Sequence, residues 1–215
     1  MHWEAKMEHG SFSVDLDGKG LPIYNGGSGT FSTILGEPFN QYSIPNYETT
    51  GTIILDDKEY EVSGKTWFDR QWQDEGQNFS NTKWNWSWMD LHLDNGDKLS
   101  LWDMHNVTLG VNSAWVTVLH PDGTQNTYMV KRLADGASEV WGSPVSGQHY
   151  PTRWSVEIPD LDAKLDVNSV VKESEIVSKV PFLNKYEGAC TISGTYRGKE
   201  TKGYCYTELL GDFSK

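Results

Sequence analysis

The chain has 215 residues and a formal net charge of −12. That length suits one all-β domain plus a little, and the acidic balance argues against nucleic acid or an anionic membrane surface as a partner. No apolar run reaches membrane-spanning length, and the start, MHWEAKMEHG, has no signal-peptide core. As it stands the chain reads as cytoplasmic, or as secreted or periplasmic if a leader has been removed.

Helical periodicity is scarce. Short alternating segments are punctuated by turn signals at Asp17-Gly18, Asn25-Gly26-Gly27, Asp56-Asp57, Asn95-Gly96, Pro121-Asp122-Gly123 and Arg197-Gly198. They predict strands near 11–16, 51–55, 58–63, 83–93, 98–109, 113–119, 126–132, 152–158, 163–168, 187–196 and 202–209. Leu133 to Gly142 reads as a short helix or a loop. Hairpin connections of this kind favour an antiparallel up-and-down barrel. The glycines from Gly26 to Gly29 lack the strand-then-helix setting of a phosphate loop, and no cofactor motif is present. Ten tryptophans and ten tyrosines imply a large aromatic surface, which suits an aromatic core as well as a lined pocket.

Two segments carry chemistry. In SGKTWFDRQWQDE, from Ser63 to Glu75, a strand would point Trp67, Asp69 and Gln71 one way and Phe68, Arg70 and Trp72 the other. Asp69 and Arg70 are either a structural ion pair between tryptophans or polar groups set in an apolar wall. In WNWSWMDLHLDNGDKLSLWDMH, from Trp84 to His105, Asn95-Gly96 signals a hairpin with a two-residue type I′ loop. That loop pairs His92 with Leu99, Asp90 with Leu101, Trp88 with Asp103 and Trp86 with His105. Trp84, Trp86, Trp88, Asp90 and His92 would then share a face with Asp103 and His105. A metal held by Asp90, His92, Asp103 and His105 is a weaker reading, since their spacing fits no defined motif. Near the end of the chain, a loop centred on Arg197-Gly198 would set Cys190 opposite Cys205 and Glu187 opposite Glu208. The cysteines are then either a cross-strand disulfide or, slightly favoured, free buried thiols.

The strings YSIPNYETTGTIILDDKEYEVSGKTWFDRQW, WNWSWMDLHLDNGDKLSLWDM, YPTRWSVEIPDLDAKLDV and KYEGACTISGTYRGKETKGYCYTELLGDF, in that order, resemble the carotenoid 1,2-hydratase (hydroxyneurosporene synthase) and AttH-like superfamily, often labelled predicted secreted hydrolases. The resemblance runs from about Tyr42 to Phe213 and implies an all-β, lipocalin-like fold of two barrels in tandem. This chain would hold mainly the second barrel: residues 41–215 as the barrel, and residues 1–40 as a β segment ending a first one. A second copy or a partner chain would supply the missing strands. The resemblance further implies hydration, cyclisation or pericyclic ring closure of apolar polyene-type substrates. Arg70 stands where carotenoid hydratases often have histidine, Trp72 matches the motif tryptophan, and Asp103 is the best match to the proposed proton-donating aspartate.

The residues suit that chemistry. A carboxylic acid buried against indoles stays neutral near pH 7, and indole faces stabilise a carbocation by up to about 2 kcal/mol each. The expected catalytic residues are Asp103, Asp69, Arg70 and His105, with His92 an alternative to His105 for accepting a proton or placing water. Trp67, Trp72, Trp84, Trp86, Trp88, Asp90 and Trp102 would hold a small hydrophobic substrate. The rivals are a non-catalytic lipocalin-like carrier and a carbohydrate-binding or structural module.

Overall fold

The computed structural model describes residues 1–32, 34, 38–73, 83–180 and 183–214. Six strands make a first sheet: β1 (His2–Met7), β2 (Gly10–Gly18), β3 (Ile23–Tyr24), β4 (Thr30–Ser32), β5 (Pro38–Leu55) and β6 (Lys58–Trp72). The 18-residue β5 is its spine and pairs with β2, β3, β4 and β6. Its register slips between Ile44 and Tyr47, at a bulge that accommodates Pro45. Residues 40 and 41 both lie within this strand; the strands up to Trp72 pair in the first sheet and those from Trp84 in the second.

Ten strands make the second sheet: β7 (Trp84–Leu93), β8 (Lys98–Asn106), β9 (Val111–Leu119), β10 (Gln125–Met129), β11 (Ala137–Gly142), β12 (His149–Ile158), β13 (Ala163–Ser169), β14 (Glu175–Ile176), β15 (Lys185–Tyr196) and β16 (Lys199–Leu210). It is an antiparallel, lipocalin-like meander in which β16 returns to pair with β7. A seam without a ladder lies between β10 and β11, where the short helix α1 (Leu133–Gly136) turns the chain. The stretch expected as helix or loop is therefore that helix followed by a strand. The interior is filled, not hollow: Met89, Leu91, Leu99, Leu101, Val116 and Leu165 are fully buried in one apolar cluster.

The turn between β7 and β8 differs from expectation, and the difference decides the site. A type I′ loop needs positive φ at both central residues. Asp56 and Asp57 meet that condition, as do Arg197 and Gly198, but at the β7–β8 turn Gly96 alone does. The loop is three residues, Asp94 to Gly96, closed by Leu93 N–H to Asp97 O at 3.1 Å. Asp97 is withdrawn into the barrel end, where its carboxylate takes the Tyr196 hydroxyl at 2.8 Å and lies 3.0 Å from His120 Nδ1. Trp88 consequently faces Trp102, Trp86 faces Met104 and Asp90 faces Ser100. A shift of one residue puts Asp103 and His105 on the face opposite the tryptophans. The four residues weighed as a metal set are split between the two faces for the same reason.

The closure of β16 on β7 leaves no room for a Cβ at Gly203, which would lie 2.1 Å from the His92 carbonyl oxygen. Gly203→Ala is expected to lower stability in urea by about 1–3 kcal/mol through overpacking. Gly64→Ala, with open space around it, is expected to leave stability unchanged or raise it by about 0.5 kcal/mol.

Candidate functional site

The outer face of β7, β8 and β16 meets the first sheet back to back. An aromatic belt joins them: Phe31 stands 5.0 Å from Trp115 and 5.8 Å from Trp102, and Trp67 lies 6.0 Å from Trp88 (ring centroids). Asn25 Nδ2 donates to Ser43 Oγ at 3.0 Å within the first sheet, and Gly26 N–H donates across to Thr117 Oγ1 at 3.1 Å. Beside this belt the sheets part into a cleft of about 480 Å³, with Trp67 and Asp69 on one wall and Trp88, Asp90, His92 and Tyr206 on the other.

Register explains the convergence. Asp69 lies opposite Ser43 on β5, whose hydroxyl donates to Oδ1, and Trp67 Nε1–H donates to the same oxygen at 2.8 Å. Asp69 is exposed to solvent in the cleft, and desolvation by the strands packed around it pushes its pKa up to about 6 against those two hydrogen bonds. Water in the cleft weakens that push, and an apolar guest that displaces the water strengthens it. Asp90 is buried and accepts the Tyr206 backbone N–H, and burial raises it well above the usual carboxylate range. His92 stacks on Tyr204 at 4.6 Å and meets Trp67 edge-on at 5.4 Å. Burial, with Lys98 and Lys65 nearby, pulls His92 down to about 3, so its imidazole is neutral, and Nδ1 has no partner among the described residues.

The cleft therefore gathers Trp67, Asp69, Trp88 and Asp90 from the expected set. Trp102 sits in the adjoining belt, and Trp86 donates to Glu208 at 2.7 Å while Trp84 packs against it at 4.8 Å. Arg70 and Trp72 do not join them. They project from the other face of the first sheet, where both are exposed and Trp72 contacts Tyr42 at 6.2 Å. Asp103 and His105 line a separate pocket at the barrel mouth. Asp103 is buried, takes the Leu133 N–H at 2.8 Å and lies 3.8 Å from Arg132 Nε; burial raises its pKa. Tyr204, Tyr206 and Ser43 were missed. GYCYTE shows the alternation that puts both tyrosines on one face, but only the pairing of β16 with β7 brings them to Asp90 and His92.

A family model for AttH-like proteins matches residues 1–212. The chain belongs to the AttH-like family. Dehydratase asqC of Emericella nidulans is 30% identical over 219 residues, covering 98% of this chain and 61% of that protein. Kievitone hydratase of Fusarium solani subsp. phaseoli is 26% identical over 218 residues, covering 96% and 58%. The crystal structure of kievitone hydratase from Nectria haematococca superposes with a TM-score of 0.85 at 21% identity, covering 98% of this chain and 64% of that one. This AttH-like chain thus spans 58–64% of the length of these relatives. The resemblance to the carotenoid 1,2-hydratase and AttH-like superfamily holds, and so does the all-β, lipocalin-like fold.

Glu187 lies directly opposite Glu208 on the outer face of β15 and β16, and Cys190 lies opposite Cys205 as free thiols buried in the barrel core, both in the expected register. Glu208 is held by Lys185 at 2.8 Å. Burial and the Glu208 charge push Glu187 up to about 8. A carboxyl raised on folding contributes stability that is fully present below its unfolded value, near 4.5, and lost as pH rises through 8. Thermal unfolding followed by circular dichroism is expected to show a lower melting temperature at pH 8.5 than at pH 5, with Glu187→Gln flattening that difference.

Proposed function

We propose that this AttH-like chain adds water across, or removes it from, a carbon–carbon bond of an apolar polyene or polyketide-type substrate held in the cleft between its two sheets. The observation that carries this reading is a neutral-prone carboxyl, Asp69, set beside the indoles of Trp67 and Trp88 and across from a buried neutral imidazole, His92. In hydration the Asp69 carboxyl gives its proton to an alkene carbon. The carbocation left behind is faced by Trp67, Trp88 and the Tyr204 and Tyr206 rings, an arrangement that stabilises positive charge without supplying a nucleophile. Water then attacks the cation and gives its proton to the Asp69 carboxylate left by the first step, which restores the acid. Dehydration runs the same steps backwards. Capture of the cation by an internal alkene would instead close a ring. The names of the relatives, a dehydratase and a hydratase, support the same reaction class.

Asp103, His105, Arg70 and Trp72 take no part in this reading, because they lie outside the cleft. The exposed face of the first sheet, with Trp72 and Tyr60 uncovered beside Phe68 and Val62, is the surface on which a second copy would complete a first barrel. A dimer in sedimentation supports that assembly, and a monomer at micromolar concentration argues against it.

The test is turnover of kievitone and of a linear conjugated polyene, read by mass spectrometry as gain of one water. Asp69→Asn is expected to lower kcat roughly 10²- to 10⁴-fold, and the wild-type rate to fall as pH rises above about 6. Equal rates for wild type and Asp69→Asn would remove the proposed acid. Tight binding with no turnover by either protein would favour the carrier.

A further inference from the structure

The barrel mouth holds a second hollow, of about 270 Å³, on the face of β7 and β8 away from the tryptophans. Most of its lining surface is apolar, from side chains such as Val107, Val140, Pro151 and Phe213, and polar residues including His105, Asp212 and Ser214 line it as well. Two polar groups stand in it without an adequate partner. Asp103 is 5% exposed, and its Oδ2 is used by the Leu133 N–H while Oδ1 has no hydrogen bond among the described residues. Arg132 Nε, 3.8 Å from that oxygen, has none either. A donor and an acceptor buried side by side beyond bonding distance is an expensive arrangement, and β8 and the start of α1 fix both ends of it. One hydroxyl group between them would resolve both defects, donating to Asp103 Oδ1 and accepting from Arg132 Nε–H, while the rest of the guest fills the apolar part.

We propose that the mouth of the second barrel is a binding site, separate from the cleft, for a small, largely apolar molecule bearing one hydroxyl, of the phenol class. The volume lies just below the usual range for sites that hold drug-sized ligands, so the guest is smaller than a polyene substrate. Apolar side chains make most of its surface, and among its lining residues only Asp103 and Arg132 hold buried polar atoms without a hydrogen bond to the described residues. A hydrocarbon of the same shape would bury the pair unsatisfied and bind more weakly.

The experiment uses the whole chain with p-cresol and its hydrocarbon isostere toluene as probes, followed by amide chemical shifts and calorimetry. The expected result is that p-cresol shifts Ala134, Ala137 and Phe213 but neither Tyr204 nor Tyr206, and binds roughly ten-fold or more tightly than toluene. Val140→Trp, at an exposed position on the rim, should fill the hollow and abolish binding, and Arg132→Met should reduce p-cresol to the affinity of toluene. The proposal is overturned if the two probes bind equally, as they would if a water already bridged the pair. It is also overturned if no binding occurs at millimolar concentration, if the shifts fall on Tyr204 and Tyr206, or if Val140→Trp leaves binding intact.

Discussion

Two sheets pressed back to back through a belt of indole and phenyl rings are the feature on which this molecule depends. Phe31 of the first sheet is inserted between Trp102 and Trp115 of the second, and Trp67 reaches Trp88. Rings of this size bury large apolar areas and prefer tilted or edge-on packing, and here every one of these pairs is tilted or edge-on. The belt fixes the distance between the sheets. Where it ends, the walls separate just enough for a cleft whose lining is aromatic and whose polar groups are few.

That geometry governs the protonation states inside it. Three titratable groups on the cleft walls are displaced toward their neutral forms, and burial is the leading cause for each: Asp69 and Asp90 upward, His92 downward. Neutral-prone carboxyls set among indoles on the walls of an apolar cleft are suited to giving a proton to a substrate. The barrel interior beyond its mouth is packed with aliphatic side chains and closed by the pairing of β16 with β7. The cleft lies on the outside of the second barrel, and the barrel is the scaffold that holds its wall.

Much of this was legible in the residues, and the failures have physical causes. The Trp67, Asp69 face and the opposite Arg70, Trp72 face follow from strand alternation alone. The Cys190–Cys205 register was readable because Arg197-Gly198 adopts the turn its residues favour. Asn95-Gly96 does not, because Asp97 is drawn into contact with Tyr196 and His120, residues far along the chain. No local pattern reveals a tertiary contact of that kind, and the resulting one-residue shift moved Asp103 and His105 away from the indoles. The sequence predicts only the last five residues of β5, since Pro45 and Asn46 look like breakers; the bulge between Ile44 and Tyr47 absorbs them.

The central claim is that the cleft keeps the Asp69 carboxyl protonated far above its ordinary range. Carbon-13 titration of that carboxyl in the intact chain, with and without an apolar ligand filling the cleft, measures it directly. The account predicts a midpoint near 6 that climbs further on ligand binding. A midpoint at the ordinary value of about 3.9, unmoved by the ligand, would contradict it.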